Sequence, residues 1–184
     1  MDFFKQKWRS LLGIRFTSKK EFADYFFSLS DHAWILENRQ LKRAFEYLIE
    51  DLSEEEINQM MRSGEVYFVR VNDRLSCTVR ADMERRRGNQ VVLVFPRLYN
   101  LLKSAAPDFG LAVLCHEIAH IVLDHSHKRL SPLQKQVEAD RFALEHGFGL
   151  ELVELLEEEG VAHPEVQLRL KKLLEHLEDE EVAA

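Results

Sequence analysis

The stretch Phe109-Gly110-Leu111-Ala112-Val113-Leu114-Cys115-His116-Glu117-Ile118-Ala119-His120-Ile121-Val122-Leu123-Asp124 decides how the rest of the chain is read. Apolar residues lie around most of its helical circumference, which predicts a buried helix rather than a surface one. His116, Glu117 and His120 interrupt it. On an α-helix, residues i and i+4 share a face, so both imidazoles can hold one Zn²⁺. Glu117 is offset by one residue and can reach a water on that metal without taking a ligand position. It would deprotonate the water, while the Lewis acid lowers the water's pKa and polarises a substrate carbonyl. A chance pair of histidines would bury two uncompensated imidazoles and a glutamate in an apolar helix, which is costly. Cys115 diverges from His116 by about 100° and reads as a small core hydrophobe.

Downstream, Ser131-Pro132 opens a helix running to about His146 and ended by Gly147 and Gly149. Two more helices follow over 150–159 and 164–177, then an acidic tail. Upstream, the first 60 or so residues read as helical. Phe3, Phe4, Trp8, Leu11 and Leu12 make one amphipathic face, and Phe22, Tyr25 and Phe26 mark a helix over 18–28. Leu41, Phe45, Leu48 and Ile49 mark another over 39–52, and Ser53-Glu54-Glu55-Glu56 matches a capping box opening a short helix. Between these blocks, β-branched and aromatic runs predict strands at 66–71, 75–80 and 90–95, with a turn at Asn72-Asp73 and a charged loop over 82–89.

Composition narrows the class. Hydrophobic residues at 46% and charged residues at 31% are an ordinary globular balance, which excludes a wholly disordered chain. The 25 basic and 32 acidic residues leave a net charge of −7, which argues against nucleic-acid binding, with Glu84-Arg85-Arg86-Arg87 the one dense basic candidate. Two cysteines, Cys77 and Cys115, are too few for a disulfide scaffold and lack CxxC spacing. No run resembles a signal peptide or a membrane span, so a cytoplasmic location is expected. Phe3, Phe4 and Trp8 with Lys5, Lys7 and Arg9 also suit a helix lying on a membrane surface. Docking of that helix on the core is the preferred alternative.

Three features beyond the HExxH run give it context. His125 follows His120 by five residues, Glu138-Ala139-Asp140 lies on the next helix, and His163-Pro164 precedes Arg169 by six residues counted from the histidine. Together these resemble the HtpX-like and CaaX-prenyl-protease-like gluzincin metallopeptidases over about Gln90 to Leu173. The resemblance implies an α+β fold, with a small antiparallel sheet packed on the HExxH helix and a glutamate helix. On that basis residues 1–62 are a helical N-terminal region, 63–178 the metallopeptidase domain and 179–184 a tail. It implies one Zn²⁺ held by His116 and His120, Glu117 as base, and a peptide or protein as substrate. Asp140 would orient a ligand histidine, His163 would stabilise the oxyanion, and Arg169 would brace that site.

At one position the chain departs from the family pattern. The family's third ligand is a glutamate four residues before the aspartate, and Gln136 stands there. Glu138 is the nearest acid, but positions 136 and 138 point to different helix faces. Glu138 is the preferred third ligand, with Gln136 through its carbonyl oxygen, His125 and His127 as the alternatives. The rival to a zinc endopeptidase is a gluzincin-fold protein that has lost activity and acts as a binding or regulatory module. The oligomeric state is not legible.

Overall fold

The computed structural model describes residues 15–62, 64–71, 89–160 and 163–183. The amphipathic run at 3–12, the expected strand at 75–80 and the Glu84-Arg85-Arg86-Arg87 cluster lie outside the described residues. The chain divides into two compact units, Met1–Tyr99 and Asn100–Ala184. The change from helix to strand near residue 62 lies inside the first of these.

Local chemistry sets the helices of the first unit. Helix α1 (Lys19–Ser28) starts at Ser18, whose hydroxyl accepts the Glu21 N–H. A 3₁₀ turn at Ser30–His32 leads into the short α2 (Ala33–Leu36). Asn38 caps α3 (Arg39–Asp51) by accepting from the Gln40 and Leu41 amides. Helix α4 (Glu54–Met60) opens with the reciprocal Ser53 and Glu56 capping box that its sequence spells. Phe22, Phe26, Phe45 and Phe68 form the aromatic core, and Phe45 meets Phe68 edge-on with ring centroids 5.3 Å apart.

Strands β1 (Val66–Arg70) and β2 (Gln90–Val94) pair in parallel, Phe68 opposite Val92. This corrects the antiparallel expectation for the described part of the sheet. The two strands are direct neighbours, and the stretch of chain between them is long enough for the return a parallel pair requires. The mixture of helices with a small sheet agrees with an α+β class.

At Phe68 the opposite edge of β1 is met by side chains. Buried His32 donates from Nδ1 to the Phe26 carbonyl at 2.8 Å and accepts the Phe68 N–H on Nε2 at 3.0 Å. Trp34 Nε1 donates to the Phe68 carbonyl at 3.0 Å. Both backbone groups of Phe68 that face away from β2 are thereby satisfied without another strand.

Helix α5 (Pro96–Leu102) runs across the division between the units. The second unit then contains α6 (Asp108–Val122), α7 (Pro132–Glu145), α8 (Gly149–Gly160) and α9 (Pro164–Ala183). Helix α6 packs on α7 and α8, and α9 packs on the same two helices. As its sequence predicts, α6 is buried on most sides, through Leu111, Ala112, Leu114, Cys115, Ile118, Ala119 and Val122. Gly110 lets the start of α6 approach α5 closely, since a Cβ there would lie 2.8 Å from the Leu102 backbone nitrogen. Ser131 and Gln134 form the capping box of α7 with Pro132 in its first turn, and Gly147, at φ 82°, reverses the chain after it. No helix among the described residues is long and apolar enough to cross a membrane.

Candidate metal centre

The two histidines of the HExxH run lie one above the other on α6, as the 3.6-residue repeat requires. Their Nε2 atoms face each other at 3.2 Å, with the rings nearly perpendicular. Helix α7 presents residues 136 and 140, also one turn apart, to the His116 ring. Gln136 Oε1 lies 2.9 Å from His116 Nε2, and Asp140 Oδ1 lies 2.8 Å from His116 Nδ1. The second is a close polar contact whose geometry at Nδ1 falls short of a well-aligned hydrogen bond.

Arg169 on α9 fixes Asp140 in turn, with Nε donating to Oδ2 at 2.8 Å and Nη2 to Oδ1 at 2.7 Å. Burial of Asp140 opposes its ionised form. The bonds from Arg169 and the nearness of His116 outweigh that opposition and hold its carboxyl below the usual aspartate range. An ionised Asp140 favours a proton on His116 Nδ1, which leaves the Nε2 lone pair facing His120 and Gln136.

His120 faces His116 through Nε2 and His125 through Nδ1, the second contact being 2.7 Å. Burial, then the neighbouring rings of His116 and His125, push its pKa down to about 4, so it is neutral at physiological pH. His125 is buried and its pKa also lies below the ordinary value, with burial the main cause and Glu138 opposing.

Glu138 does not join the imidazole pair. Its Oε2 lies 3.1 Å from His125 Nε2 and 3.1 Å from Lys128 Nζ. Partial burial raises its pKa, but those two bonds outweigh it and keep the carboxyl below the usual range. Glu117 is exposed on α6 beside His116. His127 is exposed and bonds Asp124 at 2.6 Å. His163 is exposed ahead of α9, where its carbonyl accepts the Gln167 N–H at 3.1 Å. No described contact joins the His163 ring to the cluster.

The donor set can be tested against zinc. Two zinc–nitrogen bonds of about 2.0–2.1 Å at a tetrahedral angle separate the nitrogens by about 3.3 Å. The 3.2 Å between the two Nε2 atoms fits that spacing. The third atom, Gln136 Oε1, faces His116 Nε2 and is a neutral amide oxygen. Among the described residues, no group of three or more His, Cys, Asp or Glu side chains converges to hold a metal. The fit is therefore good for the imidazoles, while the third donor is uncharged.

Sequence spacing brought out His116 and His120, and the family resemblance Asp140, but neither gave a sign of Lys128. Lys128 lies in the loop between α6 and α7, where no periodicity fixes which way a side chain points. No family model, curated protein or solved structure matches the chain.

Proposed function

We propose that this chain is a zinc-dependent peptidase of the gluzincin type, with His116, His120 and Gln136 as the metal-binding side chains. One observation carries the proposal. The Nε2 atom of His116 lies 3.2 Å from His120 Nε2 on the same helix and 2.9 Å from the amide oxygen of Gln136 on α7, and all three atoms can present a lone pair. A proton on Nδ1 of both rings would leave no hydrogen between these atoms, and a cation would relieve the repulsion. Bound zinc would supply a Lewis acid and an acidified water.

The remaining chemistry belongs to the chain. Asp140, gripped by Arg169, orients His116 and keeps its Nε2 unprotonated. Glu117, exposed one residue from His116, has a carboxylate free to take up a proton during hydrolysis. A role for His163 as oxyanion donor rests on the family resemblance.

The same centre favours a second proposal, a metal-binding module without hydrolysis. Its support is Gln136, whose amide contributes no charge where the family has a carboxylate. Metal content, measured together with cleavage of a peptide library, separates the two. A peptidase holds about one zinc per chain and cleaves, and Glu117→Gln keeps the metal but loses nearly all cleavage. A chain with stoichiometric zinc and no cleavage is the binding module. A chain that takes up no zinc refutes both.

A further inference from the structure

His125 and Glu138 stand outside the three donor atoms, and the chemistry above gives neither a task. Their hydrogen bonds nevertheless have a direction. An ionised carboxylate only accepts, and Lys128 at 3.1 Å keeps Glu138 in that form. The 3.1 Å contact between Glu138 Oε2 and His125 Nε2 is therefore an Nε2–H donation. A neutral His125 with its proton on Nε2 has only a lone pair on Nδ1. That atom lies 2.7 Å from His120 Nδ1, so His120 is the donor there.

We infer that His125 and Glu138 are positioning residues that lock His120 in its Nδ1–H form and so aim the Nε2 lone pair at a divalent cation, an inference that rests on the metal-binding reading above. The two histidines are then served in parallel by two carboxylates of α7. Asp140 reaches His116 directly. Glu138 reaches His120 through an interposed imidazole.

The chain turn after α6 delivers that imidazole. His125 N–H bonds the His120 carbonyl at 3.0 Å, and Asp124 N–H bonds the Ile121 carbonyl at 3.0 Å. These are the two bonds of a Schellman ending, with Asp124 in the left-handed position at φ 53°. Glycine is the usual residue there, and aspartate adopts it at some cost. The reversal turns the His125 ring back onto His120 and leaves it buried, at 3% exposure.

Two measurements on the full chain test the inference. Long-range proton–nitrogen NMR of the zinc-free protein near pH 8 reads the tautomer of His120. Chelator competition reads zinc affinity. Wild type should show His120 protonated on Nδ1. His125→Leu and Glu138→Ala should mix the tautomers and weaken zinc binding by about 10–100-fold. His125→Asn places an amide oxygen near the lost Nδ1 and should recover most of that affinity, which a purely structural loop tie would not predict. Should His125→Leu fail to fold, the wild-type tautomer and the Asn variant still decide the matter. A wild-type His120 protonated on Nε2, or Leu and Asn variants of equal affinity, overturns the inference. If wild type binds no zinc while the tautomer still depends on His125, the lock stands and the metal proposal fails.

Discussion

Arg169 holds Asp140 with two parallel bonds of 2.8 and 2.7 Å, and the oxygen that accepts the shorter one also faces His116 Nδ1 at 2.8 Å. A residue on α9 thus sets the charge state of a residue on α7, which in turn orients a ring on α6. Asp140 is nearly inaccessible, with a side-chain exposure of 3%. Removing Arg169 leaves a buried carboxylate with only the His116 ring beside it.

Arg169→Ala should therefore destabilise the chain by about 3–5 kcal/mol in urea denaturation. Asp140→Asn in the same background should recover part of that loss, because it removes the stranded charge. If the single variant loses no stability, the pair is not holding the three helices together.

At position 136, Gln136→Glu adds a charge to the donor set without lengthening the reach of the side chain. Zinc affinity should rise on the order of tenfold, about 1.4 kcal/mol. Gln136→Ala should weaken binding by a similar factor. Chelator competition measures both, and equal affinities for Ala, Gln and Glu would remove residue 136 from the metal site.

His32 predicts a pH dependence that has nothing to do with metal. Burial lowers its pKa below the ordinary 6.5, with the Phe26 carbonyl and Asp31 opposing. The folded protein therefore prefers neutral His32 more strongly than the unfolded chain does. Its contribution to stability is fully present above about pH 6.5, declines as the pH falls below that, and levels off below the folded-state pKa. His32→Leu should flatten this part of the curve relative to wild type. At neutral pH the same variant should cost roughly 1–3 kcal/mol for the buried Phe68 N–H it leaves unpaired, while the Phe26 carbonyl keeps the Leu29 N–H. Denaturation at pH 7.5 and 5.5 gives both quantities, and curves that differ by a constant offset would contradict the titration.

Gly110→Ala places a methyl group 2.8 Å from the Leu102 backbone nitrogen, where a side-chain rotation cannot relieve the contact. Overpacking of this kind should cost about 1–3 kcal/mol. A neutral or raised melting temperature would mean that α5 yields without penalty.

The sequence by itself determined what depends on neighbours along the chain. The caps at Ser53 and Ser131, Pro132 in the first turn of α7 and the reversal at Gly147 follow from residues within one turn of each other. So does the shared face of His116 and His120. Tertiary packing decided the rest. One helix fixes the angle between its own residues, about 100° per step, but its phase against another helix is set by the packing of their surfaces. That phase put Gln136 and Asp140 on the two nitrogens of His116, and turned Glu138 towards His125 and Lys128. The same limit applies to β1 and β2, whose strand character is local but whose parallel pairing depends on which edges meet. It applies to His125 as well. Its ring reaches His120 only because Asp124 takes a left-handed conformation for which aspartate, unlike glycine, is a weak sequence signal.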